Sequence, residues 1–336
     1  MLQIIAAWNL VHPQDNMAKA VSDIKLRGNN KETFLTGEFA NGIASKKIRC
    51  LSVSNIADKH CPTRRDLYFY KGINRLRRAR EQQLWGNKAG YIVEEYVESV
   101  LRSKAWKATK AYSEVIKKRN GCHSRFIKEN RESLNRLEEL EVSPSVKEGD
   151  TDWLLTLLSH NGRAELGLNI LHSLLKENDS LDAKHVQIKE KVKSHPTQIG
   201  MNSPVIPDFI IPEFGIVGDI KTGIEFAPFF QLTCAGYALA YENEKENDHA
   251  INWGIIYFFP TRNPSAYVRP ITFAQVYIFP IDDALRQWFL DVRDEAYRII
   301  SRTDPPSFPD ADKRKVCLYC KFRDYCVGLG LELREQ

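Results

Sequence analysis

The spacing of apolar positions changes along the chain, and each change predicts a different kind of element. Residues 1–47 show no sustained period and are assigned no role. From Ile48 the pattern sharpens. The apolar stretch 51–57 leads into Cys61-Pro62, and over 89–101 the residues Ile92, Val93, Tyr96, Val97, Val100 and Leu101 recur at helical spacing. Residues 104–183 read as helical and strongly charged, punctuated by Asn120-Gly121, Ser143-Pro144 and Asn161-Gly162, which predicts an inserted helical layer. A period of two returns at Val186, Ile188 and Val192, and again over 205–220, 251–259 and 267–281, so this part of the chain is expected to supply a sheet. Helices are expected over 227–242 and 282–301. Strands and helices alternating in this way predict an α/β core with helices covering a mixed sheet. The expected divisions are 48–103 and 184–302 for the core, 104–183 for the insertion, and 303–336 for a short tail rich in Pro and Cys.

Composition adds exclusions. With 336 residues, 43% of them hydrophobic and 27% charged, the chain can bury a substantial core, and disordered, collagenous and coiled-coil readings fall away. The formal charge of +5 is a mild bias that fits an anionic partner without requiring one. The apolar run 2–11 contains Asn9, lacks a basic flank and is much shorter than the ~20 residues a spanning helix needs, so neither a signal peptide nor a membrane span is expected. Seven cysteines without an export signal suit a cytoplasmic protein whose thiols serve metal or redox chemistry rather than disulfides.

The most informative chemistry lies in the segment 206–221. Two apolar runs flank Pro212-Glu213-Phe214-Gly215, a turn signal, which predicts an antiparallel hairpin. If Ile211 pairs with Ile216, Asp208 falls opposite Asp219, with Cβ atoms ~5 Å apart on one face. Two carboxylates so placed repel unless a cation or a proton sits between them, and a divalent metal meets that need. Because strand side chains alternate, Lys221 projects from the same face as Asp219. Mg²⁺ or Mn²⁺ held by such carboxylates lowers the pKa of a bound water and neutralises charge on a phosphate, while an ammonium orients that water. An isolated Asp-x-Lys is usually an ordinary surface pair; the aligned Asp208 and the turn are what raise this one above that.

Three further residues join these candidates. In the helix over 89–101, Glu94 lies at the edge of the apolar stripe and Glu95 on the opposite face, so Glu94 is the better metal ligand, with a boundary salt bridge as the equally weighted alternative. Gln231 and Tyr237 lie on the helix after the hairpin, where their polar ends could contact phosphate or support Lys221. Six positions apart, they are not stacked neighbours.

Cys317, Cys320 and Cys326 place three thiols within ten residues, one short of a closed tetrahedral site. Cys61 is the preferred fourth donor, ahead of Cys50, because it precedes Pro62 and leads into a helix; Cys234 sits among apolar helix residues, where a buried free thiol is common. Four thiolates suit either a 4Fe-4S cluster or a structural Zn²⁺, and spacing leaves both open. Arg64, Arg65, Lys71, Arg75, Arg77, Arg78 and Arg80 are opposed locally only by Asp66 and Glu81, a distribution suited to tracking a phosphate backbone. Lys104, Lys107 and Lys110, interleaved with Trp106, continue it, although a solvated helix face accounts for that second stretch equally well.

Taken in order, Gly90 to Glu94, Pro207-Asp208, Asp219-Ile220-Lys221-Thr222-Gly223, the helix from Gln231 to Tyr237, and Cys61 with Cys317, Cys320 and Cys326 resemble the RecB-type branch of the PD-(D/E)XK nucleases. The four-cysteine arrangement is similar to that of the CRISPR-associated RecB-like exonucleases of spacer acquisition. The resemblance implies a restriction-endonuclease-like mixed sheet core flanked by helices, with the tail as an iron-sulfur staple. It implies Mg²⁺- or Mn²⁺-dependent cleavage of DNA, usually from single-stranded ends, and trimming of spacer precursors for the acquisition integrase complex. Asp208 and Asp219 would be the metal carboxylates with Glu94, Lys221 the catalytic lysine with Gln231 beside it, and the four thiols the 4Fe-4S ligands. Arg64, Arg65, Arg75, Arg77, Arg78 and Tyr237 would face the DNA. The chain departs from the family in having Glu94 where many members carry His, in a longer Gln-to-Tyr spacing, and in the size of the 104–183 segment. Two other functions are weighed: the nuclease module of a helicase-nuclease repair system, and a DNA-end-binding subunit with weak catalysis and a purely architectural four-thiol site.

Overall fold

The computed structural model describes residue 21 and residues 24–70, 186–212, 215–223, 226–244, 249–260, 275–320, 322, 323 and 326. The helix expected over 89–101, with Glu94, the insertion over 104–183, and Arg75, Arg77 and Arg78 lie outside the described residues.

Helices α1 (Gly37–Ala44), α2 (Val53–Ala57) and α3 (Arg65–Tyr70) come first. The start of α2 is fixed by a capping box in which Ser52 and Asn55 satisfy each other's backbone N–H groups. After them come β1 (Gln187–Ile188), α4 (Pro196–Ile199), β2 (Phe209–Ile211), β3 (Ile216–Gly223), α5 (Phe230–Asn243), β4 (Trp253–Pro260), β5 (Gln275–Pro280) and α6 (Asp283–Ser301). A 3-10 stretch over Ala311–Tyr319 leads into the last described cysteines.

The strands form one mixed sheet in the order β1-β2-β3-β4-β5. β2 and β3 are antiparallel with Ile211 opposite Ile216 and Phe209 opposite Gly218, the register expected from the turn. β3 and β4 run parallel, which requires a crossover, and α5 lies in that connection. Gly215, at φ +61°, occupies the left-handed region that closes the hairpin turn, donating its N–H to Pro212 O at 2.8 Å. Gly218 is required for a different reason. A Cβ there would meet the Phe209 ring at 1.9 Å, so the ring lies directly across the glycine.

The core fills the space between one face of the sheet and α2, α5 and α6. α5 is buried from Leu232 through Asn243 and so has no solvated face, as expected of a crossover helix covered on all sides. α6 is amphipathic instead, N-capped by Asp282, whose carboxylate accepts from Leu285 N at 2.9 Å. Its buried side carries Arg286 and Arg293 among Leu285, Phe289, Leu290 and Tyr297. Arg286 forms a two-pronged bond with Glu242 at 2.6 and 2.9 Å, and Glu242 also accepts from Gly28 N and Ile251 N at 3.0 and 2.9 Å. Arg293 donates to Thr33 O and Ile199 O. Residues 24–36 are thereby bonded into the core, a role that the aperiodic first 47 residues gave no reason to expect.

Candidate functional site

Asp208 directly precedes β2, and Asp219 and Lys221 lie on β3. One step beyond the Phe209–Gly218 pair the register sets Asp208 opposite Asp219. The Ile220 N–H donates to Asp208 Oδ2 at 2.6 Å, and the Asp208 carbonyl accepts from Lys189 N at 3.0 Å, so both ends of that residue are fixed by backbone. Asp219 is buried at 2% exposure, and its Oδ2 meets Lys221 Nζ at 2.6 Å. That approach is short but off the hydrogen-bonding axis, and Oδ2 has no aligned donor among the described residues. Burial alone would pull the Lys221 ammonium below the ordinary lysine range. The Asp219 carboxylate, with Asp208 behind it, outweighs burial and leaves the group above that range. A lysine in this state stays protonated at neutral pH.

α5 packs over this face. Burial holds the Tyr237 hydroxyl well above its usual range, and the charges of Asp219 and Asp208 add to the effect, which brings Tyr237 within electrostatic reach of both carboxylates. Its hydroxyl also hydrogen-bonds Ser54 on α2. Gln231 sits in the first turn of α5 and is half-buried. Cys234 is fully buried; burial raises its thiol far above the usual range, and Asp219 raises it further. It belongs to the core beneath the site, as its apolar setting predicted.

A second constellation lies near the chain's end. Cys61, Cys317, Cys320 and Cys326 line one cavity together with His60, Asp66, Phe69, Phe308, Pro309, Phe322 and Arg323. Cys50 is elsewhere, accepting from the Tyr297 hydroxyl at 3.6 Å. Burial raises the thiols of Cys317, Cys320 and Cys326, that of Cys320 to about 11, so in the absence of a cation they are protonated at neutral pH. Among the described residues no three His, Cys, Asp or Glu side chains form a single-ion group. The donor set, soft thiols backed by aromatic and Pro side chains, is of the kind that takes iron-sulfur or zinc.

Arg64 and Arg65 differ from expectation. Both are buried, at 2% and 3% exposure. Arg64 donates to the carbonyls of Ile56 and Asn55 at 2.9 and 2.7 Å, and Arg65 donates to Pro306 O. These two guanidiniums brace the segment after Cys61 against its neighbours instead of facing a DNA backbone. Local charge density in the sequence cannot reveal this, because backbone carbonyls leave no signature there. Ser54 and Phe308 were also missed, since a short hydroxyl and one aromatic in a Pro-rich tail carry no chemistry on their own.

These observations define an α/β protein with a carboxylate–lysine face on a mixed sheet and a separate four-thiol cavity. A family model described as CRISPR-associated exonuclease Csa1 matches residues 40–329, and the chain belongs to that family. The CRISPR-associated exonuclease Csa1 of Saccharolobus solfataricus (strain ATCC 35092 / DSM 1617 / JCM 11322 / P2) is 30% identical over 115 residues, 34% of this chain. That match spans 36% of the relative's length. No solved structure matches the chain. Among the described residues no helix is long and apolar enough to cross a membrane.

Proposed function

We propose that the chain is a Mg²⁺- or Mn²⁺-dependent deoxyribonuclease with a restriction-endonuclease-like core. In this reading it shortens single-stranded DNA ends of spacer precursors on their way to the CRISPR acquisition integrase complex. The family name supports an exonuclease in a CRISPR system. The observation that carries the chemistry is the convergence of buried Asp219, backbone-pinned Asp208 and the Lys221 ammonium on one face of the sheet.

Asp208 and Asp219 would hold the divalent ion, with Glu94, outside the described residues, as a third carboxylate. Such an ion supplies a water of lowered pKa and neutralises charge on the scissile phosphate. The chain's own groups divide the remaining work. The Ile220 N–H holds Asp208 Oδ2 and so fixes the orientation of that carboxylate. Lys221, whose Nζ lies 2.6 Å from Asp219 Oδ2, would serve to orient the attacking water or to contact a non-bridging phosphate oxygen. Tyr237, buried and positioned by Ser54, would serve as an O–H donor, with Gln231 at the same helix's start as a second polar contact. Arg75, Arg77 and Arg78 remain the candidates for tracking the phosphate backbone.

In the same reading Cys61, Cys317, Cys320 and Cys326 would hold a 4Fe-4S cluster, which supplies a covalent tie between the segment after α2 and the tail. The cavity that the four side chains share supports this. The test is digestion of end-labelled single- and double-stranded DNA with Mg²⁺, Mn²⁺ or EDTA, alongside metal analysis of anaerobically purified protein. Metal-dependent loss of single-stranded ends by a brown, iron-loaded protein is expected. Binding without cleavage in either metal would instead identify a DNA-end-binding subunit, and a colourless zinc protein would refute the cluster.

A further inference from the structure

Arg65 stands at the start of α3, four residues after Cys61. It is almost wholly buried, yet among the described residues no carboxylate forms an ion pair with it. Arg286 and Arg293, buried to the same degree, bond to Glu242 and Asp294. Arg64, buried beside Arg65 and also paired with no carboxylate among the described residues, places two nitrogens on the carbonyls of Ile56 and Asn55. Arg65 has the single carbonyl of Pro306 and an Nε unpartnered among the described residues, so its position favours a further anion.

The surroundings of Arg65 indicate where that anion lies. Its guanidinium packs against the Phe69 ring at 5.5 Å and the Phe308 ring at 5.6 Å, and both rings line the four-cysteine cavity. One amino group donates to Pro306 O, which fixes the fork, while Nε has no partner among the described residues. The Cys326 thiol lies within reach of the Arg65 charge, which acts on it against the effect of burial. Protonated thiols offer this cation nothing but a weak acceptor, whereas four thiolates around a 4Fe-4S core form a doubly negative unit.

We propose that Arg65 is the buried counter-ion of the four-thiol site, donating to the Cys326 sulfur and raising the reduction potential of the cluster held there. The proposal rests on the iron-sulfur reading above. Adding an electron makes the cluster more negative, so a fixed cation and an N–H···S bond favour the reduced form more than the oxidised one. The aromatic sandwich and the Pro306 carbonyl make Arg65 a positioning residue for the cluster. The group itself does not approach DNA.

The experiment uses the full chain, reconstituted anaerobically with iron and sulfide, as wild type, Arg65→Gln and Arg65→Lys. Potentials are read by dithionite titration followed by electron paramagnetic resonance, with iron content and circular dichroism measured on the same samples. Arg65→Gln is expected to shift the one-electron reduction equilibrium at least tenfold toward the oxidised form, about 59 mV lower in potential. Arg65→Lys, which keeps the charge but loses the fork, is expected to shift it measurably in the same direction but less. A merely structural role would alter folding or iron content and leave the potential of the loaded protein unchanged. Variants with wild-type potentials therefore overturn the proposal, and where Arg65→Gln does not fold, a wild-type potential in Arg65→Lys overturns it alone. A wild-type protein that binds zinc and no iron refutes the cluster reading itself and removes the basis of this one.

Discussion

Replacing Lys221 with Ala separates stability from chemistry at the carboxylate face. In the metal-free protein the ammonium is the cation at Asp219, 2.6 Å from Oδ2, with side-chain exposures of 24% for the lysine and 3% for the aspartate. At that distance the gross attraction is about 6 kcal/mol for an effective dielectric of about 20, offset by the desolvation of both groups. Breaking a fully buried pair costs roughly 3–5 kcal/mol, and an exposed pair is worth about 0.2–1 kcal/mol. With one partner a quarter exposed, the expected loss is ~1–3 kcal/mol in EDTA. Without the ammonium, buried Asp219 loses the cation at its Oδ2, so a divalent ion should stabilise the variant more than the wild type. Both proteins gain from the ion, so at saturation the gap narrows by about 1.4 kcal/mol for each tenfold by which the variant binds it more tightly. The assay is urea unfolding followed by far-ultraviolet circular dichroism, in EDTA and in Mn²⁺, with cleavage of end-labelled single-stranded DNA measured on the same preparations. The variant should recover stability in Mn²⁺ without recovering cleavage. Equal stability of both proteins in EDTA, or cleavage at the wild-type rate, would show that these groups do not form the arrangement described.

Other consequences of the structure can be measured separately. Glu242→Ala leaves Arg286 buried without its carboxylate and should lower unfolding stability by roughly 3–5 kcal/mol, read as a fall in the urea midpoint, while Glu242→Gln should cost less. Gly218→Ala sets a methyl against the Phe209 ring and should cost about 1–3 kcal/mol in a thermal melt, and by disturbing the strand pair beside Asp208 it should also weaken Mn²⁺ binding. Because the thiols of Cys317, Cys320 and Cys326 are raised, ligation must release protons. Reconstitution with iron and sulfide, followed by visible absorbance, should therefore be more complete as pH rises from 7 toward 9, and a flat profile would contradict this.

The parts of this molecule legible in its sequence are those specified by short-range pattern. Pro212-Glu213-Phe214-Gly215 between alternating apolar runs sufficed for the Ile211–Ile216 register, and that register alone brings Asp208 to Asp219. Three closely spaced cysteines pointed to a shared cavity, and the proline after Cys61 singled it out as the fourth thiol. What the sequence concealed depends on partners that are far away or are backbone. Arg64 and Arg65 belong to a basic run, but the carbonyls of Ile56, Asn55 and Pro306 that receive them have no residue signature. Residues 24–36 lack any period because, apart from isolated apolar anchors such as Leu35, they are held by scattered polar bonds, among them Gly28 N to Glu242 and Thr33 O to Arg293. The wide spacing between Gln231 and Tyr237 left the role of Tyr237 open; the side chain expected to face DNA is buried instead, beside the carboxylates and bonded to Ser54.

Asp219→Asn is the sharpest probe of the carboxylate face, since it keeps the shape of the side chain while removing the charge that both the ion and Lys221 require. Digestion of end-labelled single-stranded DNA in Mn²⁺ should proceed with the wild type and fall by at least a hundredfold in the variant, with folding and DNA binding retained. Undiminished digestion by the folded variant would mean that the hydrolytic centre lies elsewhere in the chain.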